Sequence, residues 1–288
     1  MDDSRDFFAN IDIDSNNFEQ IYPNLVNISE NQYYSSDRFN SVFDVDCVND
    51  LSIICLNIRS MKRNGDNFIA YLSLLNRKFD VICLNETFVQ DKSLFEDFLD
   101  GYEGFHSVRP NGSQRGGVAI YVSKTIKPAI LPSYTVNLPF IETIFLELRR
   151  GGKTTKVGCC YRPPDSSKDD FLNFCDDKFY NLNTNISDVI ICGDFNLCML
   201  RAIENNQLAN FYDSMNSYAF IPTILHPSRF SENSCSLIDN IFVSNLNQLN
   251  SGLLCTDISD HLPVFILYRS YYEPMYISMS LGKSLLDL

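Results

Sequence analysis

The sequence lacks the features that mark membrane, secreted and zinc-binding proteins. No apolar run in its 288 residues approaches the roughly 20 residues that a helix needs to cross a bilayer. The acidic residues 1–6 are not followed by an apolar stretch, so no secretory signal is expected. The ten cysteines form no CxxC pair, and most lie within apolar runs, which favours buried thiols over disulfides or zinc ligands. We therefore expect a soluble, intracellular protein.

Positive charge is also scarce, because 23 Lys and Arg side chains oppose 36 Asp and Glu, for a net charge of −13. The deficit is concentrated in residues 1–50, which carry 2 basic and 11 acidic side chains, whereas residues 51–270 are close to neutral. A near-neutral body can still present a locally basic groove. Binding to nucleic acid is therefore not excluded, although its affinity for phosphates should be modest and sensitive to salt.

The composition changes along the chain and suggests one main domain. Residues 1–48 are rich in Asp, Asn and Ser and show no sustained periodicity, which predicts a disordered acidic leader. A regulatory or partner-binding arm is the alternative for this segment. Short apolar runs separated by turns begin at Leu51. We predict one catalytic domain over residues 49–270 and leave the C-terminal tail at 271–288 unassigned.

The apolar pattern predicts a mixed α/β fold. A strand at 51–57, a helix at 67–79 and a strand at 80–86 form the pattern of a parallel crossover unit. The second half repeats this scheme with a helix at 167–182 and a strand at 188–196. Two such sets of strands with interleaved helices predict two packed mixed sheets flanked by helices.

Polar side chains suited to metal or phosphate chemistry follow the apolar strands at eight places. The eight residues are Asn57, Glu86, Tyr161, Asp194, Asn196, Asp239, Asp260 and His261. One acid at a strand end is usually a turn residue or a helix cap, but that explanation is weak for eight positions that each close an apolar run. Phosphodiester hydrolysis needs oxygen ligands for a hard cation, a group that orients or deprotonates water, and donors around the developing charge. This set contains all three.

The residue types suggest a role for each member. Glu86 and Asp260 are the candidate ligands for Mg²⁺, and Asp194 can position the attacking water. The neutral donors that could bind phosphate oxygens or fix their neighbours are Asn57, Asn196 and Tyr161.

His261 needs a partner that orients its imidazole. Asp260 and His261 are adjacent on an extended segment, so their side chains point to opposite sides. Asp239 is therefore the better candidate, as in catalytic triads. The other two histidines, His106 and His226, are predicted to be structural.

Six segments resemble the ordered motifs of the endonuclease/exonuclease/phosphatase superfamily. They are Leu-Asn-Ile-Arg-Ser (56–60), Leu-Asn-Glu-Thr (84–87), Tyr-Arg-Pro-Pro (161–164), Gly-Asp-Phe-Asn (193–196), Ser-Leu-Ile-Asp (236–239) and Ser-Asp-His (259–261). The resemblance implies a four-layer α/β sandwich that depends on Mg²⁺ or Mn²⁺. It also implies a role for each motif residue: a metal and water network for Asn57 and Glu86, water activation and transition-state binding for Asp194 and Asn196, orientation of His261 for Asp239, and phosphate contact for Tyr161.

Within this superfamily, the sequence is similar to the endonucleases of non-LTR retrotransposons. The similar forms are Asn-Ile-Arg-Ser, Asn-Glu-Thr, Arg-Gly-Gly-Val-Ala-Ile-Tyr (115–121) and Tyr-Arg-Pro-Pro. This likeness implies nicking of double-stranded DNA. The abasic-site repair enzymes of the superfamily usually carry an aspartate where this sequence has Arg59, which weakens a repair function and any two-metal scheme that needs that carboxylate. Arg115 and Arg229 are candidate DNA contacts, with solvated surface arginines as the alternative.

The resemblance also bears on context and on rival functions. Retrotransposon polyproteins of this kind continue into a reverse transcriptase, and this sequence ends soon after the predicted domain, so we expect an endonuclease without its polymerase. Action on chromosomal DNA would place it in the nucleus. Two alternatives stay open: a small-molecule or lipid-headgroup phosphatase or phosphodiesterase with the same metal centre, and an inactive relic acting as a binding module. The retained catalytic residue types argue against the relic.

Overall fold

The structure is a computed structural model. It describes residues 32–43, 50–91, 93, 95, 97–108, 115–150, 152–182, 187–201, 206–245 and 249–269. Most of the predicted leader, up to residue 31, and the predicted tail at 271–288 lie outside the described residues. No helix in the described part of the chain is long and apolar enough to span a bilayer.

The described residues form four α-helices, one 3-10 helix and sixteen strands. The helices are α1 (Ser36–Val42), α2 (Met61–Leu74), α3 (Lys168–Leu182) and α4 (Asn206–Ser217), with a 3-10 helix at Met199–Arg201. The strands are β1 (Gln32–Tyr34), β2 (Asp50–Asn57), β3 (Val81–Asn85), β4 (Tyr102–Ser107), β5 (Val118–Ser123), β6 (Lys127–Ile130), β7 (Asn137–Leu138), β8 (Ile141–Arg150), β9 (Lys153–Tyr161), β10 (Asp188–Asp194), β11 (Ile221–Pro222), β12 (Arg229–Ser231), β13 (Ser234–Ser236), β14 (Asp239–Val243), β15 (Leu249–Leu254) and β16 (Val264–Arg269).

The strands form two mixed sheets and a small hairpin. The first sheet has the order β1-β15-β16-β2-β3-β5-β4, and the second has the order β11-β14-β10-β9-β8-β6, with β7 paired to β8. Strands β12 and β13 form the hairpin. Each large sheet has two parallel strands near its centre, β2 with β3 and β9 with β10, and their outer neighbours run antiparallel to them. The two sheets thus share the same central arrangement, and β15 and β16 return from the C-terminal part of the described chain to complete the first sheet.

Alternation along the strands explains the four layers. In β2, Ile53 and Cys55 belong to the core between the two sheets, whereas Ile54 and Leu56 pack with Phe68 of α2 on the outer face of the first sheet. Helices α3 and α4 contribute their buried aromatic residues to the core of the second sheet. The predicted four-layer α/β sandwich of two mixed sheets flanked by helices is confirmed.

The helix predicted at 67–79 has different boundaries in the structure. It begins at Met61, where the Ser60 side chain accepts a hydrogen bond from the backbone N–H of Arg63. It ends at Leu74, because Leu75 adopts an extended backbone. Phe79, which the periodicity included, lies in the connection to β3 and is buried there. The cap was present in the sequence, but apolar spacing alone did not reveal it.

The predicted domain boundary at residue 49 also lies too late in the chain. Strand β1 pairs in parallel with β15 at the edge of the first sheet. Phe39 of α1 is fully buried and packs with its ring centroid 5.9 Å from that of Phe79 and 5.1 Å from that of Phe265. Isolated aromatic residues in a polar segment are thus enough to attach it, because each ring buries a large apolar area.

The cysteines in the described residues are free thiols, as expected. Four of them lie between the sheets. Cys55 on β2 is the register partner of Cys83 on β3, and Cys159 on β9 is the register partner of Cys192 on β10. The Sγ atoms of Cys83 and Cys192 are 3.4 Å apart. These small side chains act as core residues directly beneath the strand ends that carry the polar site.

Candidate active site

The ends of the two central strand pairs bring polar residues together. Asn57 continues the alternation of Ile53 and Cys55, so it faces the space between the sheets, and its register partner on β3 is Asn85. On the second sheet, Asp194 ends β10, where its register partners are Tyr161 and Asp239. The predicted residues therefore converge from both sheets at one edge of the sandwich.

The carboxylate of Asp194 is almost completely buried, with 1% of the residue exposed. It accepts hydrogen bonds from Nδ2 of Asn57 at 2.9 Å and from the backbone N–H of Asn196 at 2.9 Å. The backbone N–H of Asp194 donates to Oδ1 of Asn85 at 3.1 Å. Burial, followed by the negative charge of Asp239, raises the pKa of Asp194 to about 7. A carboxylate of this kind can take up a proton near neutral pH.

Asp239 and His261 form a buried pair. Nδ1 of His261 lies 2.8 Å from Oδ2 of Asp239, the contact that the sequence predicted. The same oxygen accepts a hydrogen bond from the Ser228 hydroxyl at 2.7 Å, and Ser228 in turn accepts one from the backbone N–H of Asp239. These contacts fix the ring orientation and leave Nε2 as the nitrogen that a substrate could meet.

Tyr161 and Glu86 face each other across the two sheets. The Tyr161 hydroxyl donates to Oε1 of Glu86 at 3.0 Å. Burial, followed by the charges of Glu86 and Asp194, raises the pKa of Tyr161, so the phenol keeps its proton and remains a donor. Glu86 and Asn196 both have left-handed backbones, with φ of 49° and 47°, a conformation that is uncommon for residues other than glycine and is concentrated at functional sites.

The carboxylate of Asp260 contacts two arginines. Its Oδ1 lies 2.7 Å from Nη1 of Arg59, and its Oδ2 lies 2.9 Å from Nε of Arg229. Burial alone would raise the pKa of Asp260, but the charges of His261, Arg229 and Arg59 outweigh it and lower this pKa below its usual range. Arg229, a predicted DNA contact, is thus held beside a predicted metal ligand.

These groups lie around a cavity of about 750 Å³. Among its lining residues are Glu86, Tyr161, Asn196, Asp260 and His261. Four arginines also line it: Arg59, Arg63, Arg115 and Arg229. The lining therefore combines these four arginines with the acids Glu86, Asp165 and Asp260, and Arg59 and Arg229 are both paired with Asp260.

The other two histidines lie elsewhere. His106 is in β4 and packs edge-on against Tyr121, with ring centroids 5.3 Å apart. His226 stacks on Tyr33 of β1 at 5.7 Å. Within the described residues, neither side chain is part of the cavity lining.

Sequence reasoning missed several residues of the site. Asn85 lies in the motif that supplied Glu86, yet it received no role. Ser228 and Arg63 gave no sequence signal, because Ser228 reaches Asp239 through a loop and Arg63 is an ordinary surface residue in a helical pattern. Arg59 was noted only as a departure from a motif, and the structure places it beside Glu86 and Asp260.

The donor set fits a divalent metal ion. One ligand atom from each of Asp194, Asp239 and His261 lies within 4.8 Å of the others. Oδ1 of Asp239 is buried and has no hydrogen-bond partner among the described residues. The pKa of His261 is raised to about 9, mainly by Asp239, so its ring is protonated at neutral pH and offers no lone pair to a metal. The oxygen donors left for Mg²⁺ or Mn²⁺ beside this group are Glu86 and Asn57.

The sequence matches the model of the Endonuclease/Exonuclease/phosphatase family over residues 54–261, and the chain belongs to this family. No curated protein matches it. Solved structures that share the fold include the following three. The endonuclease domain of TRAS1, a telomere-specific non-LTR retrotransposon, is 16% identical with a TM-score of 0.62, over 76% of this chain and 98% of that one. An AP endonuclease from Archaeoglobus fulgidus is 17% identical with a TM-score of 0.56, over 76% and 99%. The human Nocturnin catalytic domain is 15% identical with a TM-score of 0.56, over 76% and 93%.

Proposed function

We propose that this protein is a divalent-metal-dependent phosphodiesterase that nicks double-stranded DNA. The observation that carries the proposal is the composition of one cavity. His261 and four arginines line it, and the buried acids Asp194 and Asp239 lie next to His261 behind the lining. Acidic side chains that can bind a metal ion or orient a water molecule therefore lie close to arginines that can bind backbone phosphates.

Each buried group has a part in hydrolysis. Asp194 orients the attacking water and accepts its proton, for which a pKa of about 7 is well suited at neutral pH. His261 is protonated at that pH, because Asp239 holds its charge, and it donates to the phosphate oxygens as negative charge develops on them. Tyr161 and Asn196 are further neutral donors at the cavity.

Mg²⁺ or Mn²⁺ would be held by Glu86 together with Asn57. When bound, the ion would polarise the phosphate and neutralise part of its charge. Asp260, the second carboxylate predicted as a ligand, is engaged by two arginines, which leaves Glu86 as the more available carboxylate.

DNA is the proposed substrate because the cavity offers several fixed cations. Arg63 and Arg115 line it beside Arg59 and Arg229, and arginine binds phosphate oxygens through paired donors. Such contacts place the backbone of a duplex without reading its sequence. The likeness in fold to a retrotransposon endonuclease domain supports the same substrate, and action on chromosomal DNA would place the protein in the nucleus.

The test is nicking of supercoiled plasmid by the purified protein with Mg²⁺, with EDTA, and in the variant Asp194→Ala. Asp213→Ala is a matched control, because Asp213 is an exposed acid on α4 outside the cavity. We expect nicking that EDTA and Asp194→Ala abolish and that Asp213→Ala leaves unchanged. A folded, Mg²⁺-loaded protein that does not nick DNA would overturn the proposal. Hydrolysis of inositol phosphates or sphingomyelin would then indicate a phosphatase, and no hydrolysis would indicate a binding module.

A further inference from the structure

Arg59 occupies an unusual backbone position between β2 and α2. Its φ is 49°, and the next residue, Ser60, has φ of 101°. The turn is fixed by its surroundings: the backbone N–H of Arg59 donates to Oδ1 of Asn57 at 3.2 Å, and that of Ser60 donates to the backbone oxygen of Glu86 at 2.8 Å. Asp and Asn adopt left-handed backbones more readily than Arg, so an arginine here carries a conformational cost.

The side chain of Arg59 links the two predicted metal ligands. Its Nη1 lies 2.7 Å from Oδ1 of Asp260, and its Nε lies 3.9 Å from Oε2 of Glu86. The other oxygen of Asp260 is paired with Nε of Arg229 at 2.9 Å. Each oxygen of Asp260 is therefore in contact with a guanidinium group, whereas the hydrogen bond to Glu86 within the described residues comes from the neutral Tyr161.

This arrangement makes the two carboxylates unequal as metal ligands. A second divalent ion at Asp260 would have to displace a guanidinium group from at least one oxygen and would be repelled by both arginines. Mg²⁺ is usually held by one or two carboxylates with water and substrate phosphate completing the shell, so Glu86 with Asn57 can suffice for one ion. Arg59 keeps 45% of its side chain exposed and lines the cavity, and a guanidinium group has five N–H donors to share.

We propose that Arg59 is a built-in cation that limits this centre to one divalent ion. It neutralises Asp260, leaves Glu86 as the carboxylate ligand, and binds a phosphate oxygen of the substrate where a second ion would otherwise do so. This inference rests on the proposed metal-dependent function. It predicts that the number of ions bound, and not only the activity, depends on residue 59.

The experiment counts Mn²⁺ ions on the metal-free protein without substrate, by electron paramagnetic resonance of free Mn²⁺ and by calorimetry. We expect one ion per chain in the wild type and none at this site in Glu86→Gln. Arg59→Asp adds a carboxylate beside Glu86 and Asp260, and we expect it to bind two ions. The matched control is Arg63→Asp, which makes the same charge change in the same cavity, and we expect it to bind one ion.

A second variant tests the inference in case Arg59→Asp does not fold. Arg59→Asn removes the cation and suits the left-handed backbone, and we expect it to tighten Mn²⁺ binding by about tenfold, a difference of about 1.4 kcal/mol. Circular dichroism and thermal unfolding establish that each variant is folded.

The inference is wrong if the wild type binds no ion or two ions, or if a folded Arg59→Asp variant binds one ion. It is also wrong if Arg59→Asn leaves the affinity for Mn²⁺ unchanged. A second ion in Arg63→Asp would contradict it too, because the effect would then come from overall charge. None of these readings depends on DNA cleavage. Two ions in a wild type that nicks DNA would refute the role of Arg59 and leave the proposed function intact. One ion in a protein that does not nick DNA would refute the proposed function and leave the role of Arg59 intact.

Discussion

The imidazole of His261 lies 2.8 Å from the carboxylate of Asp239, and the two side chains are only 2% and 3% exposed. Burial of the ring disfavours its charge, but the negative charge of Asp239 and its hydrogen bond outweigh burial and raise the pKa of His261 to about 9. The ring is therefore a cation at neutral pH, held where its free nitrogen can meet a phosphate.

Asp239→Asn should lower the pKa of His261 from about 9, because burial remains while the largest of the opposing charges is lost and only the charges of Asp194 and Asp260 still oppose it. The measurement is a proton NMR titration of the metal-free protein. The chain has only three histidines, and His261→Gln identifies the signal. A His261 signal that still titrates near pH 9 in Asp239→Asn would show that Asp239 does not hold the charge.

Ser228→Ala should weaken catalysis indirectly. The Ser228 hydroxyl donates to Oδ2 of Asp239 at 2.7 Å, so its loss leaves that carboxylate freer to move and the imidazole less well oriented. We expect kcat to fall about tenfold, with little change in KM because Ser228 is buried outside the cavity lining, and a loss of about 1–3 kcal/mol in the free energy of unfolding. Ser231→Ala, at an exposed serine on β12, is the control. An unchanged kcat would mean that Ser228 has no positioning role.

Gly193→Ala should prevent the two central strands of the second sheet from pairing normally. Gly193 has φ of 154°, and a Cβ atom there would lie 1.8 Å from the backbone oxygen of Cys160 on β9. We expect a loss of more than about 4 kcal/mol in the free energy of unfolding, measured by urea denaturation. Gly152→Ala is the control, because Gly152 also has positive φ but no atom within 4 Å of the added Cβ, so only about 1–2 kcal/mol should be lost. Equal losses in the two variants would contradict the steric argument.

Phe39→Ala should destabilise the whole domain, although Phe39 precedes the boundary that the sequence suggested. Its ring is fully buried among the rings of Phe43, Phe79 and Phe265. We expect a loss of about 3–5 kcal/mol in a single unfolding transition. Val42→Ala, at a position on the same helix that is 54% exposed, should cost far less. If Phe39→Ala leaves the stability unchanged, residues 32–43 are not part of the domain.

Strand alternation and motif order made part of the site predictable from the sequence. Asp194, Asp239 and His261 could be placed together because Asp194 ends β10, Asp239 begins β14 and His261 lies just before β16, and strand ends of one sandwich meet at one edge. The two-sheet architecture was predictable for the same reason.

The contacts of Asp260 could not be predicted in this way. Arg59 and Arg229 are separated from it by 201 and 31 residues; Arg59 reaches it from a turn with a left-handed backbone, and Arg229 reaches it from the first position of the β12–β13 hairpin. The attachment of residues 32–43 was hidden because α1 spans only seven residues and buries one of them, too few to produce a periodic pattern.

The position of β16 has a consequence for synthesis of the chain. This last described strand does not lie at an edge but between β15 and β2, and the segment just before it carries Asp260 and His261. Until this last described segment leaves the ribosome, the first sheet lacks the strand between β15 and β2, and the candidate active site lacks the imidazole of His261. A partly made chain therefore lacks both the strand that completes the first sheet and the Asp260–His261 end of the candidate site, because the two lie next to each other in the sequence.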